Sequence, residues 1–282
     1  MNYRHAFHAG NFADVVKHII LTRILAYLLR KEAPFRVIDT HAGIGMYDLY
    51  GDQAERTGEW QDGISRLVER DLPPSVGDIL APYLDAVKAQ NEGGELRYYP
   101  GSPFITRHML RKQDRLMALE LHPKDVESLR ENFAGDFQTR VTHLDAWAAM
   151  GTHVPPKENR GLVLVDPPFE EKGEFNRMAQ GLAKAYKRWP GGTYAFWYPI
   201  KDVSEVDTYV KALKATGIKK ILRLEMTIRP ASEPPRLHGT GMIVVNPPYV
   251  LEEEMRAVLP FVADTLGVDG QGKWLVEWIA GE

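Results

Sequence analysis

The stretch Gly161–Glu170, GLVLVDPPFE, constrains the fold more than any other part of the sequence. Its first half is wholly apolar, which is typical of a short strand buried on both faces of a parallel sheet. Proline cannot donate a ladder hydrogen bond, so Pro167 and Pro168 should end the strand. Asp166 and Phe169 would then project from the carboxyl end of a central strand, the edge where open α/β sheets bind ligands.

Further apolar segments alternate with helical patterns along the 282-residue chain. This alternation predicts a single α/β domain over 1–282, with a doubly wound, mostly parallel sheet of seven strands and helices on both faces. Apolar residues at helical spacing over 12–31 add an N-terminal helical extension, which Asn11 could cap. Besides the stretch above, the predicted strands cover 35–40, 115–119, 140–144, 193–198, 220–229 and 241–245.

Residues 46–112 interrupt the alternation, because they contain no convincing parallel strand. In the simplest nucleotide-binding unit, the acidic residue at the end of the second strand lies about 20 residues beyond the glycine turn. Here the distance from Gly43 to Glu120 is far longer. We therefore predict a small helical insertion between the first two strands, with helices near 59–70 and 77–90.

Acidic side chains end the first four predicted strands. Parallel strands gather their carboxyl ends at one edge of the sheet, so these acids should lie close together. After the first of them, His41–Gly45 contains two glycines, which allow a ligand to approach the backbone. A single acid at a strand end is often an ordinary cap, but four followed by Pro-Pro-Phe predict a ligand site. The four are Asp39, Glu120, Asp145 and Asp166.

The pattern resembles the Rossmann-like class I methyltransferases that use S-adenosylmethionine, whose signature for nitrogen methylation is [Asp/Asn/Ser]-Pro-Pro-[Tyr/Phe/Trp]. The lone pair of the adenine N6 amine is delocalised into the ring, which makes it a poor nucleophile. Hydrogen bonds to a carboxylate and a backbone carbonyl direct that lone pair and stabilise the positive charge that develops on nitrogen. The aromatic residue stacks on a base that has left its helical stack.

The signature occurs twice, at Asp166–Phe169 and at Asn246–Tyr249. The superfamily places it after the fourth strand, which is the position of the first copy. We therefore predict that Asp166 is catalytic and that the second copy only ends a strand.

A closer resemblance, to the RlmJ family, covers nearly the whole chain. That family comprises bacterial enzymes that methylate N6 of one adenine in 23S ribosomal RNA. The resemblance implies S-adenosylmethionine as the donor, S-adenosylhomocysteine as the product and no metal. The matching segments, in order, are 3–11, 17–18, 39–43, 54–59, 98–103, 120–123, 193–199 and 239–242.

The resemblance also implies roles for individual residues. Asp166 matches the catalytic residue, with Pro167, Pro168 and Phe169 completing its motif, and Tyr3 matches a substrate-binding position. Glu120 suits the ribose hydroxyls, and Asp145 with Ala146 suits the adenine of the cofactor. Ala146 stands where glycine is expected, and Phe169 stands where tyrosine is commoner. The implied cofactor-binding residues are Lys17, His18, His41, Ser102, Glu120, Asp145, Ala146 and Asp166.

Composition and charge limit the kinds of site and the kinds of partner that this chain can have. The sequence has no cysteine, which excludes disulfides and thiolate sites. No apolar run reaches the about 20 residues that span a bilayer, and no signal peptide is evident, so we expect a cytoplasmic monomer without membrane contact. The formal net charge is −3, but residues 211–236 carry seven basic and two acidic side chains (7 − 2 = +5), which is compatible with a local nucleic-acid contact. His5, His8 and His18 are not accompanied by an acidic residue in a metal-binding motif, so the sequence does not predict a metal site there.

Two alternatives to a 23S rRNA methyltransferase stay open at this point. The tetrapeptide does not distinguish RNA from DNA, so a DNA adenine-N6 methyltransferase would fit it equally well. A non-catalytic nucleic-acid-binding factor on a methyltransferase fold is the other alternative, although Asp166, Glu120 and the two glycines of the first turn argue against it. The expected partner is 23S rRNA that is protein-free or partly assembled.

Overall fold

The structure is a computed structural model that describes residues 4–281. Its strands, in chain order, are β1 (Arg36–Asp39), β2 (Met46–Asp48), β3 (Tyr98–Pro100), β4 (Arg115–Glu120), β5 (Thr139–His143), β6 (Gly161–Val165), β7 (Thr193–Ile200), β8 (Ile221–Thr227), β9 (Gly239–Val245) and β10 (Lys273–Ala280). Its helices are α1 (Phe12–Leu28), α2 (Asp52–Thr57), α3 (Arg66–Val68), α4 (Pro74–Lys88), α5 (Ser102–Met109), α6 (Pro123–Asn132), α7 (Ala146–Thr152), α8 (Glu174–Arg188), α9 (Val203–Ala215) and α10 (Leu251–Leu266).

The main sheet has the order β10-β8-β9-β7-β6-β1-β4-β5. The five strands from β7 to β5 are parallel, so the carboxyl ends of β1, β4, β5 and β6 meet at one edge. This confirms the predicted doubly wound α/β fold, and all seven predicted strands are present. The sheet has one strand more than expected, because β10 adds to β8 in the antiparallel direction. Only two residues of this edge strand are buried.

The strand β9 reverses the direction of the sheet. It is antiparallel to both β7 and β8. Its carboxyl end therefore lies at the edge where the parallel strands begin, opposite the end of β6. The second tetrapeptide follows β9, so topology separates it from the first.

Two hydrophobic cores cover the two faces of the sheet. Leu162 and Leu164 join the core under α1, α4 and α10, whereas Val163 and Val165 join the core under α8 and α9. The strand β6 is thus buried on both faces, as its unbroken apolar run predicted. The helix α1 begins as expected at Asn11, whose side chain accepts hydrogen bonds from two backbone N–H groups of the first turn.

Residues 46–112 form helices α2 to α5, a π-helical turn at Gln61–Ser65 and a small sheet in which β2 and β3 are antiparallel. Ser102 is the first residue of α5. The division of the chain into one domain with an insertion stays a prediction. Within the described range, no helix has the length and apolar character needed to cross a membrane.

Candidate active site

A cavity of about 540 Å³ opens at the carboxyl edge of the parallel strands. Every residue predicted to bind the cofactor contributes to its lining, from Lys17 on α1 to Asp166 after β6. Pro167 and Pro168 line it too, whereas Phe169 does not. The predicted substrate-binding residue, Tyr3, lies outside the described residues. We call this space the first cavity.

Glu120 is held in a fixed orientation at the end of β4. Its Oε2 atom accepts a hydrogen bond from the Gly43 N–H and its Oε1 atom from the His122 N–H, each at 2.8 Å. Burial raises the pKa of Glu120, while these backbone donors oppose that rise. Gly43 has a φ of 59°, and a Cβ atom there would lie 2.2 Å from the Tyr47 hydroxyl. The carboxylate therefore faces the cavity beside a turn that requires glycine.

Asp145 has a structural role that the sequence did not indicate. Its Oδ1 atom accepts hydrogen bonds from the backbone N–H groups of Trp147 and Ala148, each at 3.0 Å, and so caps α7. Ala146 is the first residue of that helix. The first N–H groups of a helix have no intrahelical partner, so the N–H of Ala146 can serve a ligand even though the residue is not glycine.

Lys17 connects two carboxylates at the floor of the first cavity. Its Nζ atom lies 2.5 Å from Asp166 Oδ2 and 2.7 Å from Asp14 Oδ1, and its side chain is only 4% exposed. Burial would lower the pKa of Lys17, but the two carboxylates outweigh it and raise the pKa above the usual range. The residue is therefore an ammonium ion at every physiological pH.

Asp14 is a site residue that sequence reasoning missed. Its Oδ2 atom lies 2.9 Å from His5 Nε2, and it also accepts a hydrogen bond from the Gly10 N–H. Burial would raise the pKa of Asp14, but His5 and Lys17 hold that pKa well below its usual range. The available signal was the spacing of Asp14 and Lys17, which places two opposite charges on one side of a largely apolar helix.

His41 adjoins the backbone of the tetrapeptide. The Asp166 N–H donates a hydrogen bond to His41 Nδ1 at 3.2 Å. Burial lowers the pKa of His41 to about 4, so the imidazole is neutral. This contact holds the backbone of Asp166 against the turn that follows β1.

A second cavity of about 240 Å³ adjoins the first. The two share five lining residues, which are His5, Lys17, Asp166, Pro167 and Pro168. Phe169 and Trp197 form an aromatic wall of the second cavity, with ring centroids 6.0 Å apart. The Asp166 carboxylate therefore stands where the two cavities meet.

Trp197 is one of four aromatic residues on β7. Tyr194, Phe196 and Tyr198 are fully buried. Trp197 points to the other face of the sheet, is only partly buried, and donates a hydrogen bond from Nε1 to Thr240 Oγ1 at 2.8 Å. Successive side chains of a strand point to opposite faces of the sheet. The sequence alone could therefore have shown that Trp197 lies on the face opposite to its three aromatic neighbours.

Charge differs between the two cavities. The first is lined by more carboxylates than fixed cations, which suits a positively charged ligand. The acids are Glu120, Asp125, Asp145, Asp166, Glu170, Glu171 and Glu174, and the fixed cations are Lys17 and Arg177. The second cavity has fewer acids: Asp14, Glu59 and Asp166 line it together with Lys17 and the exposed Lys201.

The histidines that might suggest a metal have other partners. His5 bonds to Asp14, and His8 Nδ1 lies 3.0 Å from a carboxylate oxygen of Glu59. Between residues 4 and 281, no group of three or more potential metal ligands is placed to hold an ion.

The second tetrapeptide lines neither cavity. The Asn246 side chain donates hydrogen bonds to the carbonyl oxygens of Pro190 and Gly192, at 2.8 and 2.7 Å. Asn246 has a φ of 50°, a conformation that asparagine tolerates better than most residues. Tyr249 is 77% exposed and packs edge-on against Tyr27. The hydrogen bonds of the second tetrapeptide therefore hold the loop between α8 and β7 in place.

A family model, two relatives and a solved structure each match this chain over most or all of its length. A family model described as "Ribosomal RNA large subunit methyltransferase D, RlmJ" matches residues 32–280. The chain is 45% identical to "Ribosomal RNA large subunit methyltransferase J" of Haemophilus influenzae and 44% identical to the protein of the same name from Escherichia coli, with 100% of both chains covered in each case. The crystal structure of protein LPL1258 from Legionella pneumophila is similar with a TM-score of 0.88 and 33% identity, over 96% of this chain and 98% of that one.

Proposed function

Because the chain belongs to the RlmJ family of ribosomal RNA large subunit methyltransferases, we propose that it methylates the N6 amine of one adenine in 23S rRNA. The family and the class I methyltransferase fold imply S-adenosylmethionine as donor, and S-adenosylhomocysteine is then the product. One observation carries the proposal. Two cavities of different character meet at the carboxylate of an Asp-Pro-Pro-Phe segment.

The residues of the first cavity fit S-adenosylmethionine. This cofactor supplies an activated methyl group on a positively charged sulfur, and the acidic lining favours that charge. The fixed Glu120 carboxylate can accept hydrogen bonds from both ribose hydroxyls. The N–H of Ala146, beside Asp145, can contact the adenine of the cofactor. His18 contributes a buried Nε2 atom that has no partner among residues 4–281.

The second cavity suits the target adenine. A base inside a helix cannot reach Asp166, so the adenine must be flipped or unpaired when it enters. Phe169 and Trp197 provide the aromatic surface on which a base can stack. The exposed Lys201 is then available for the phosphate backbone next to that base.

We assign two roles to the residues of this chain. They align the N6 amine for methyl transfer, and they stabilise the charge that develops on it. The Asp166 carboxylate accepts a hydrogen bond from the N6 amine and, formally, the proton that the amine loses. A backbone carbonyl of the tetrapeptide accepts from the other N–H. Because Lys17 is bound to Oδ2, it fixes the rotation of the carboxylate and keeps the Oδ1 atom directed to the amine. Fixed groups of this kind act without reorganisation as charge develops.

Methyl transfer from radiolabelled S-adenosylmethionine tests the proposal. Protein-free 23S rRNA should accept label, and the labelled nucleoside should be N6-methyladenosine. Asp166→Ala should abolish transfer, whereas Asn246→Ala, the same position in the second tetrapeptide, should retain most of it. Transfer to duplex DNA in preference to RNA would favour the DNA methyltransferase alternative, and loss of activity only in Asn246→Ala would overturn the assignment of Asp166.

We also propose that the enzyme acts as a monomer on protein-free or partly assembled 23S rRNA. The small net charge of −3 suits recognition of a short exposed RNA element rather than broad contact with a particle. Free 23S rRNA should therefore be methylated much faster than intact large subunits. Equal rates on both would contradict this part of the proposal, and mapping N6-methyladenine in rRNA from a strain without the protein would locate the target.

A further inference from the structure

Three buried side chains form a hydrogen-bonded chain that ends at the first cavity. His18 Nδ1 lies 2.7 Å from the Tyr99 hydroxyl, and that hydroxyl lies 3.0 Å from the hydroxyl of Tyr83. All three side chains are fully buried. Tyr83 comes from α4 and Tyr99 from β3, so both belong to the predicted insertion, whereas His18 belongs to α1.

The direction of this chain follows from counting protons. Tyr99 is the single hydrogen-bond partner that the described residues offer to the Tyr83 hydroxyl. If Tyr83 donates to Tyr99, then Tyr99 donates to His18 Nδ1, and every hydroxyl proton has an acceptor. The opposite direction would leave the Tyr83 proton buried without an acceptor, which carries the full cost of desolvation.

This direction determines the tautomer of His18. Burial lowers the pKa of His18 to about 3, so the imidazole is neutral and carries one proton. Because Nδ1 accepts from Tyr99, that proton resides on Nε2. The Nε2 atom is buried and has no partner in the part of the chain that is described, although His18 lines the first cavity. The result is a buried N–H group beside the first cavity that no described residue satisfies.

We propose that Tyr83 and Tyr99 are positioning residues that fix the His18 proton on Nε2, so that this N–H binds the carboxylate of the cofactor's methionine part. The inference rests on the proposed use of S-adenosylmethionine. The acidic lining of the first cavity suits the sulfonium and ammonium groups of that ligand but repels its carboxylate. That group needs a hydrogen-bond donor, and His18 supplies one that is held in a single tautomer.

Nitrogen-15 NMR of the ligand-free protein tests the tautomer directly. The chain has nine histidines, and the signals that disappear in His18→Gln identify those of His18. In the wild type, Nδ1 should have the shift of an unprotonated nitrogen and Nε2 that of a protonated one. In Tyr99→Phe the preference should weaken or reverse. A wild-type His18 that is protonated on Nδ1 would overturn the proposal, whatever the enzyme methylates.

Calorimetry with two ligands tests the contact. S-adenosylhomocysteine carries the amino acid carboxylate, and methylthioadenosine lacks it. Tyr99→Phe should weaken S-adenosylhomocysteine about tenfold, the value of one hydrogen bond to a charged group, and should leave methylthioadenosine unchanged. Tyr83→Phe should have a smaller effect of the same kind. Tyr209→Phe is the matched control, because the Tyr209 hydroxyl is buried without a partner among residues 4–281.

The outcomes separate this inference from the proposed function. Equal weakening of both ligands in Tyr99→Phe would show a general packing role and would overturn the contact with the carboxylate. Unchanged binding of both ligands would overturn it as well. If the wild type binds neither ligand, the proposed cofactor fails, and the NMR result alone then decides whether the two tyrosines set the tautomer.

Discussion

Lys17 Nζ lies 2.5 Å from Asp166 Oδ2, although the two residues are 149 positions apart in the sequence. Lys17 belongs to the helix α1, which precedes the sheet, whereas Asp166 follows the central strand β6. The N-terminal helix therefore completes the site at the edge of the sheet. Among residues 4–281, Lys17 is the cation that forms an ion pair with Asp166.

Removal of the Lys17 ammonium should therefore impair methyl transfer more than cofactor binding. We expect Lys17→Gln to lower kcat by about 10²- to 10³-fold, because Asp166 loses the group that fixes and stabilises it. The affinity for S-adenosylhomocysteine should also fall, because Lys17 lines the first cavity, but by much less than kcat. Single-turnover rates and calorimetry measure the two effects, and Lys17→Arg should recover part of the rate. Equal losses in rate and in cofactor affinity would argue against this role.

The ring of Phe169 should contribute by stacking on the target base. Stacking on an aromatic side chain contributes about 1–3 kcal/mol per base, so Phe169→Leu should lower kcat/KM for RNA by about 10- to 100-fold. Phe169→Tyr keeps the ring and should stay near the wild type. Binding of S-adenosylhomocysteine should be unchanged in both, because Phe169 lines the second cavity and not the first. Comparable losses in the leucine and tyrosine variants would contradict stacking.

The fold was predictable because the main strands carry strong local signals. The run before Asp166 is apolar at every position, and a strand of this kind must be buried on both faces. In the edge strand β10, Lys273 and Glu277 interrupt the apolar residues, half of the strand is exposed, and its place in the sheet depends on pairing with β8. The local sequence pattern is a weak predictor of a strand whose position in the sheet depends on pairing with another strand.

The strand-end residues of the site were predictable from the pattern of the sheet. Lys17 and His18 on α1 were given only by the family resemblance, and Asp14 on the same helix was missed. Parallel strands bring Glu120 and Asp166 to one edge by a general rule. Nothing in the sequence fixes how α1 is rotated against that edge, so the position of Asp14 between His5 and Lys17 was not foreseen. The reversal of β9, which isolates Asn246, likewise depends on sheet topology.

Lys201 offers a test of the RNA side of the site. It is exposed and lines the second cavity, so Lys201→Ala should raise KM for RNA and reduce the salt dependence of RNA binding by roughly one phosphate contact. The affinity for S-adenosylhomocysteine should not change. Lys184→Ala removes an exposed lysine from α8 that lines neither cavity, and it should leave both quantities unchanged. Equal effects of the two substitutions would indicate only a loss of net charge.

The buried Asp39 should influence how stability depends on pH. Burial raises the pKa of Asp39 to about 7 and lowers the pKa of His18 to about 3 and of His41 to about 4. Between pH 4 and 6.5 the unfolded chain binds two more protons at these histidines, and the folded chain binds one more at Asp39. For these three groups together, the net of one proton makes their contribution to stability fall as the pH is lowered, by about 1.4 kcal/mol per unit.

Asp39→Asn removes the opposing contribution without changing the shape of the side chain. The stability that Asp39 provides is fully present below pH 3.8 and is lost as the pH rises through 7. In the variant, therefore, stability should fall more steeply as the pH is lowered from 6.5 to 4, by about a further 1.4 kcal/mol per unit, and stability above pH 7 should exceed that of the wild type. Urea unfolding at several pH values measures both, with Asp78→Asn, an exposed residue, as the control. A slope that is the same in Asp39→Asn and in the wild type would mean that Asp39 is ionised in the folded protein throughout this range.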